Sequence, residues 1–210
     1  MSERRTPALV FAALSAPTSA LAHHPMGGAS AATIWEGIAS GVAHPIIGLD
    51  HLAFLLAAGL LASVTSRRVG GAALLAFLVA GTGGALLHLA GIGLGAVEIF
   101  VALSVLLAGT ALFAGYRLLS ATAPTGLALT FAVAGAVHGH ALAEAVVGAP
   151  PSVVAAYLAT LIATQGTIAL VAMAAGVRWG ASSGVTPRLR FAGIGATVVG
   201  AVTLGMALLA

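Results

Sequence analysis

The sequence predicts an all-α protein, a polytopic membrane helix bundle of six transmembrane helices that follows a signal peptide. Of the 210 residues, 60% are hydrophobic and only 6% are charged, which is too little charge to cover a water-facing surface. The apolar runs are long enough to span a bilayer and lack the alternation typical of strands. Because lipid offers no partner for backbone groups, these runs are expected to be helices.

Charge and cysteine content exclude several function classes. The chain has no lysine, and its 8 arginines and 5 acidic residues are spread along it. We interpret this pattern as membrane topology, and expect no nucleic-acid partner. A phosphate-binding loop requires lysine, so no ATP binding is expected. The absence of cysteine leaves histidine, carboxylate and amide groups as the ligands for any metal.

Residues 1–22 have the features of a secretory signal peptide. Arg4 and Arg5 precede an apolar stretch at residues 8–16, and Ala20-Leu21-Ala22 supplies a small-residue cleavage site. An uncleaved seventh helix is the alternative interpretation.

A short outer N-terminal segment, residues 23–40, and a six-helix transmembrane domain, residues 41–210, are predicted to follow. The segment begins with His23 and His24, an accessory pair that could gather metal at the mature N-terminus. The predicted spans are 41–65, 69–90, 93–116, 125–147, 152–177 and 190–210.

Arginine placement predicts the orientation of these spans. With the mature N-terminus outside, all arginines beyond the signal peptide fall in inner loops or at the inner start of span six. They are Arg67, Arg68, Arg117, Arg178, Arg188 and Arg190. The chain is therefore expected in a bacterial cytoplasmic membrane, with both termini of the mature protein on the outer side.

The six spans divide into two halves of three, and an odd number of spans per half makes any internal repeat inverted. The first span of each half carries a histidine motif. The sequence is thus compatible with a 3+3 inverted repeat that has a site between its halves.

Span one carries His44, Asp50 and His51 in an otherwise apolar segment, where each such group costs several kcal/mol unless it is paired or solvated. Pro45 disfavours helical geometry at His44, so the helix is predicted to break or begin here. In a helix that continues from Pro45, residues seven apart share a face. His44 and His51 are therefore predicted to point the same way, with Asp50 as a ligand or as the orienter of a histidine. A capped helix start with a paired aspartate and histidine is the alternative.

Span four carries His138, His140 and Glu144. His140 and Glu144 are four residues apart and share a helix face, whereas His138 lies about 200° from His140. Either the helix unwinds at Gly139, or one of these histidines is not a direct ligand. A histidine–carboxylate pair that bridges helices is the alternative.

Helix rise predicts that the two motifs meet. Counted at about 1.5 Å per residue from the inner ends, His51 and His140 both lie about 22 Å up their spans. Gln165 comes at about 18 Å and Glu98 nearer 27 Å, and both are accessory candidates. Gln165 is otherwise a helix-bridging amide and Glu98 an interfacial residue. His88 is interpreted as interfacial.

These motifs resemble those of the HupE/UreJ family of nickel and cobalt secondary transporters, from the signal peptide through span five. The family pattern of a histidine, five residues, an aspartate and a histidine is matched by His44, Asp50 and His51, within HPIIGLDHLAFLLAAGL. In span three, VEIFVALSVLLAG resembles the glutamate-containing helix of the family through Glu98 and Ser104.

Span four resembles the family branch with the motif HGxAxxE. The matching residues are His138, Gly139, Ala141 and Glu144, followed by VVGA, AAYL and Gln165. The hydrogenase-linked branch instead has a second histidine, a glycine and a glutamate, at positions occupied here by Leu142, Ala143 and Ala145. This departure leaves open which metal is carried.

The resemblance implies a transporter of divalent nickel or cobalt, not an enzyme, with the lipid bilayer and the metal ion as its partners and no permanent cofactor. We predict nitrogen ligands from His44, His51, His138 and His140, with Asp50 and Glu144 balancing charge or orienting them. An oligomer is compatible with the sequence but is not indicated by it.

Two other functions stay open on the sequence alone. Histidines on different spans could bind haem in an intramembrane redox protein, although buried carboxylates suit a divalent ion better. Bound zinc could activate water in an intramembrane hydrolase, although no HExxH motif occurs.

Overall fold

The computed structural model describes residues 30–114, 124–180 and 186–209, and every regular element in these ranges is a helix. The helices are α1 (Ile34–Ile47), α2 (Leu49–Ser63), α3 (Arg67–Leu89), α4 (Val97–Ala114), α5 (Pro124–Leu142), α6 (Pro151–Arg178) and α7 (Pro187–Leu209), with a 3-10 turn at Ala143–Val146 after α5. The predicted signal peptide, the pair His23 and His24, and Arg117 lie outside these ranges.

The prediction of a membrane helix bundle is confirmed, with five to six candidate membrane spans. Five helices are long and apolar enough to cross a membrane, and α1 with α2 makes a sixth if this bent pair is one span. The predicted bounds of spans two, five and six differ from those of α3, α6 and α7 by one to three residues.

The start of span one was predicted wrongly. The helix begins at Ile34, because Thr33 caps it and Glu36 closes a capping box with the Thr33 backbone. The chain neither breaks nor starts at Pro45, which lies within the last turn of α1. Instead it bends by 74° between α1 and α2, at Gly48, whose backbone is extended. The span predicted at 41–65 therefore consists of two helices, and the break that was predicted at Pro45 lies three residues later, at Gly48.

Two other predicted boundaries move because of local backbone geometry. Span three starts at Val97 instead of residue 93, since Gly91 and Gly95 hold positive φ angles of 80° and 66° that end the preceding helix and delay the next. Span four runs as α-helix to Leu142 and then tightens into the 3-10 turn. It does not unwind at Gly139.

Helix pairing follows the division into two halves of three spans. Helix α3 packs on α5, α1 and α2 pack on α6, and α4 packs on α7. If each span of the first half is exchanged for the corresponding span of the second half, the same helix pairs result. A repeat of three spans would produce this symmetry. The α3–α5 pair is very close, because a Cβ atom at Gly139 would overlap the carbonyl of Gly81, and one at Gly135 would overlap that of Phe77.

Two buried apolar clusters leave a polar layer between them. The larger cluster includes Phe54 and Phe77, and the smaller includes Leu142 and Tyr157. Phe54 and Phe77 contact the ring of His138. Because Tyr157 reaches His44, His44 and His138 lie where these clusters meet.

Candidate functional site: a buried histidine group

Three buried imidazoles from three helices form what we call the inner histidine group: His44 of α1, His51 of α2 and His138 of α5. They are 1%, 2% and 1% exposed. The Nδ1 atoms of His51 and His138 are 2.8 Å apart, and the ring centres of His44 and His51 are 6.2 Å apart. The structure thus brings together histidines from both sequence motifs.

The bend at Gly48 places His44 beside His51. These residues do not share a face of one continuous helix, as the sequence predicted, because α1 ends between them. A Cβ atom at Gly48 would lie 2.8 Å from the His51 ring and 3.2 Å from the His44 carbonyl oxygen. A side chain at this position would therefore push the two motif histidines apart.

Tyr157 of α6 orients His44. Its hydroxyl donates to the carbonyl of Leu142 at 2.5 Å and lies 3.2 Å from Nδ1 of His44. A hydroxyl has one proton to give, so His44 donates from Nδ1 to the tyrosine oxygen. The lone pair of His44 is then on Nε2, which is the nitrogen suited to bind a metal.

Ser104 of α4 orients His138 in a similar way. Its hydroxyl donates to the carbonyl of Val101 at 2.7 Å and lies 2.7 Å from Nε2 of His138. His138 therefore donates from Nε2, and its Nδ1 carries the lone pair directed at His51. The tautomers of His44 and His138 are thus set by hydroxyl groups outside the inner histidine group. Histidines that bind metals usually have such an orienting partner.

Asp50 adds a buried carboxylate beside the group. It is 5% exposed, and its Oδ1 accepts the backbone N–H of His51 at 2.8 Å. A carboxylate in the first turn of α2 is stabilised by the amide dipoles of that helix. Asp50 therefore holds the start of α2 and places a carboxylate next to His51 in sequence.

His140 and Glu144 lie apart from the inner histidine group. His140 contacts His88 of α3, with its Nε2 3.3 Å from Nδ1 of His88, and Nε2 of His88 lies 2.8 Å from Oε2 of Glu144. We call His88, His140 and Glu144 the peripheral cluster. His138 and His140 point in different directions because α5 stays helical through both, which is the rotation of about 200° expected of an ideal helix.

The six predicted ligands therefore separate into two sets, His44, Asp50, His51 and His138 in one and His140 and Glu144 in the other. Among residues 30–114, 124–180 and 186–209, no three His, Cys, Asp or Glu side chains converge tightly enough to hold one ion. Of the accessory candidates, Glu98 is exposed on the first turn of α4, and Gln165 is buried on α6.

We expect Tyr157→Phe to destabilise the fold by about 1–3 kcal/mol, because the Leu142 carbonyl and Nδ1 of His44 lose a buried partner. Thermal unfolding of the purified protein measures this, as a lower midpoint than wild type. Thr130→Val is the matched control, since the Thr130 hydroxyl donates to the carbonyl of Gly126 in its own helix, at an exposed position. Equal midpoints for the tyrosine variant and wild type would contradict the role assigned to this hydroxyl.

One comparison with known proteins identifies a family. A family model described as HupE / UreJ protein matches residues 11–203. No curated protein and no solved structure gives a significant match.

Proposed function

We propose, on the premise that the chain belongs to the HupE/UreJ family of nickel and cobalt transporters, that it carries nickel or cobalt past the inner histidine group. Membership of this transporter family decides against the hydrolase and haem-protein alternatives. The ion is the cargo of the protein. The proposal includes the metal-ligand roles of individual residues and the orientation of the helices in the membrane.

The observation that carries the proposal is the close pair His51 and His138 in the buried interior. Imidazole nitrogen suits divalent nickel and cobalt, and hard ions such as magnesium prefer oxygen. Two cis ligands on an octahedral ion, each bound at about 2.1 Å, lie about 3 Å apart. The 2.8 Å between the Nδ1 atoms is close to that separation, so an ion can bind both nitrogens once the proton between them leaves and the two rings turn their lone pairs toward it.

The remaining ligands supply charge and keep binding reversible. His44, whose ring centre is 6.2 Å from that of His51, can join by a small shift, and Asp50 offsets part of the divalent charge. Water fills the other positions. An incomplete protein ligand set favours transport, since an ion that is to cross must bind weakly enough to leave.

The membrane potential is sufficient to drive uptake. One elementary charge gains about 2.3 kcal/mol per 100 mV, so a divalent ion gains about 4.6 kcal/mol, or more than a thousandfold accumulation. The absence of lysine leaves no phosphate-binding loop to couple ATP. A uniporting carrier or a channel-like path is therefore energetically adequate.

The proposed orientation puts the N-terminal ends of α3 and α7 and the C-terminal end of α6 in the cytoplasm. Arg67 and Arg68 begin α3, Arg178 is in the last turn of α6, and Arg188 and Arg190 are in the first turn of α7. Arginine is retained on the cytoplasmic side of bacterial membranes. The peripheral cluster, at the opposite ends of α3 and α5, then faces outward.

Isotope uptake tests this proposal in a cell that lacks other nickel and cobalt transporters. Expression of the chain is expected to give saturable uptake of labelled nickel or cobalt and none of calcium. A correctly inserted chain that moves neither nickel nor cobalt would refute the proposal.

Acidification is expected to lower uptake. A protonated imidazole has no lone pair for a metal, so metal binding is complete only where the histidines are neutral and is lost as the pH falls. The measurement is the initial rate of uptake at two external pH values with the membrane potential clamped. A higher rate at the lower pH would contradict the scheme and indicate proton cotransport.

A further inference from the structure

The peripheral cluster has no part in the proposed transport site, although its side chains lie within hydrogen-bonding distance of one another. Nε2 of His88 and Oε2 of Glu144 are 2.8 Å apart, with the side chains 21% and 60% exposed. His140, behind them, is only 3% exposed. The cluster therefore runs from an accessible carboxylate to a buried imidazole.

The buried end of this cluster has an unsatisfied nitrogen. Nε2 of His140 lies 2.9 Å from the carbonyl oxygen of Ile92, and a carbonyl only accepts, so His140 donates from Nε2. Its Nδ1 then carries the lone pair. This Nδ1 is buried and has no hydrogen-bond partner among the residues that the structure describes, which is uncommon because an unpaired buried polar atom costs free energy.

The fold holds these groups in place from two directions. The close approach of α3 and α5 at Gly81 and Gly139 holds together the two helices that carry His88 and His140, whose ring nitrogens lie 3.3 Å apart. The 3-10 turn that follows α5 carries Glu144, and the turn at Gly91 supplies the Ile92 carbonyl. The cluster is thus fixed by backbone contacts of two helices and two turns.

We propose that the peripheral cluster is a second binding station for a divalent transition-metal ion, where the ion is captured before it reaches the inner histidine group. Nε2 of His88, which first releases to water the proton that it donates to Glu144, and the Glu144 carboxylate bind the ion. Water completes the coordination, and Nδ1 of His140 is the next nitrogen on the inward path. The identity of the ion as the transported one rests on the function proposed above.

The chemistry of the donors fits capture. The 2.8 Å spacing of nitrogen and oxygen is near the ~3 Å between cis ligands of an octahedral ion. One imidazole and one carboxylate suit divalent nickel, cobalt or zinc, and the carboxylate offsets part of the charge. Two protein ligands bind weakly, so the ion exchanges rapidly with water and can move on.

Helix geometry connects this station to the inner one. His138 and His140 are two residues apart on α5, so their Cα atoms differ by about 3 Å along the helix axis. They face opposite sides of the helix, one toward His51 and one toward His88. His138 and His140 therefore lie at similar depth on opposite sides of α5, and His140 is the nearer of the two to the peripheral cluster.

Cobalt binding to the purified full chain in detergent tests the station, with cobalt(II) alone as the probe. Calorimetry is expected to give two bound ions for wild type and one for the double variant His51→Ala, His138→Ala, which lacks the inner pair. Adding His88→Ala to that double variant is expected to remove the remaining ion. Leu87→Ala, the exposed neighbour on α3, is the matched control and is expected to leave the remaining ion in place.

A second variant keeps the test decisive if the triple variant does not fold. Glu144→Gln in the double-variant background keeps the size of an exposed side chain and is expected to weaken cobalt binding at least tenfold. In cells, His88→Ala alone is expected to raise the apparent KM for uptake and leave the maximal rate near wild type, as loss of a capture site would.

Failure of the second binding station and failure of the proposed transport function give different experimental results. No cobalt bound to the double variant, or unchanged binding after His88→Ala is added, would overturn the station even if uptake depends on His51. A bound ion that His88→Ala removes, in a protein that transports neither nickel nor cobalt, would support the station and refute the proposed function.

Discussion

His51→Ala and His138→Ala are each expected to reduce nickel and cobalt uptake by about 100-fold or more. Loss of a group that merely orients a metal ligand typically costs 10–100-fold in metal affinity, so loss of the ligand itself costs at least as much. In the wild-type protein the Nδ1 atoms of His51 and His138 are 2.8 Å apart, and each variant removes one of these two nitrogens. The measurement is initial uptake of labelled ion at matched levels of the protein in the membrane.

Phe54→Leu is the matched control for these two variants. The Phe54 ring packs on His138 with ring centres 4.4 Å apart, but it offers no nitrogen to a metal. We expect uptake within about threefold of wild type, since a leucine keeps most of the apolar contact. Uptake that survives in both histidine variants would exclude the inner histidine group as the transport site.

Gly139→Ala is expected to prevent stable folding, with a cost of about 3 kcal/mol or more. A Cβ atom at this position would overlap the carbonyl oxygen, carbonyl carbon and Cα of Gly81, and backbone atoms cannot move aside as a flexible side chain does. Separation of α3 from α5 would also part His88 from His140. The measurement is the yield of monodisperse protein and its thermal unfolding midpoint in detergent.

Gly83→Ala is a matched control in the same helix pair. Nothing lies within 4 Å of a Cβ atom at Gly83, and alanine favours helix over glycine by about 0.5–1 kcal/mol. This variant is expected to be as stable as wild type or slightly more so. If Gly139→Ala behaves like Gly83→Ala, the close α3–α5 contact does not hold the fold together.

Composition and span length were enough to predict most of the helices but not the bend between α1 and α2. Apolar runs with few charges determine α3, α6 and α7, because lipid leaves the backbone no other structure. Pro45 looked like the break, yet proline is tolerated in the last turn of α1 when the chain can bend at Gly48. The position of the bend depends on contacts with α6 and with the His51 ring. The sequence of span one does not reveal which residues make these contacts.

The candidate site was partly predictable for a similar reason. Histidines in two apolar spans at similar depth indicated that the motifs would meet, and His44, His51 and His138 do lie together. Helix phase already indicated that His138 and His140 would point apart. The roles of His88, Tyr157 and Ser104 were missed, because they depend on which helices are neighbours.

Purified protein in sealed liposomes shows whether this chain alone moves a divalent transition metal through the membrane under the membrane potential. A potassium gradient and valinomycin set that potential. We predict influx of labelled nickel or cobalt that rises as the interior is made more negative and that is lost in His51→Ala. Liposomes that contain folded, correctly inserted protein and take up neither ion at any potential would contradict the account.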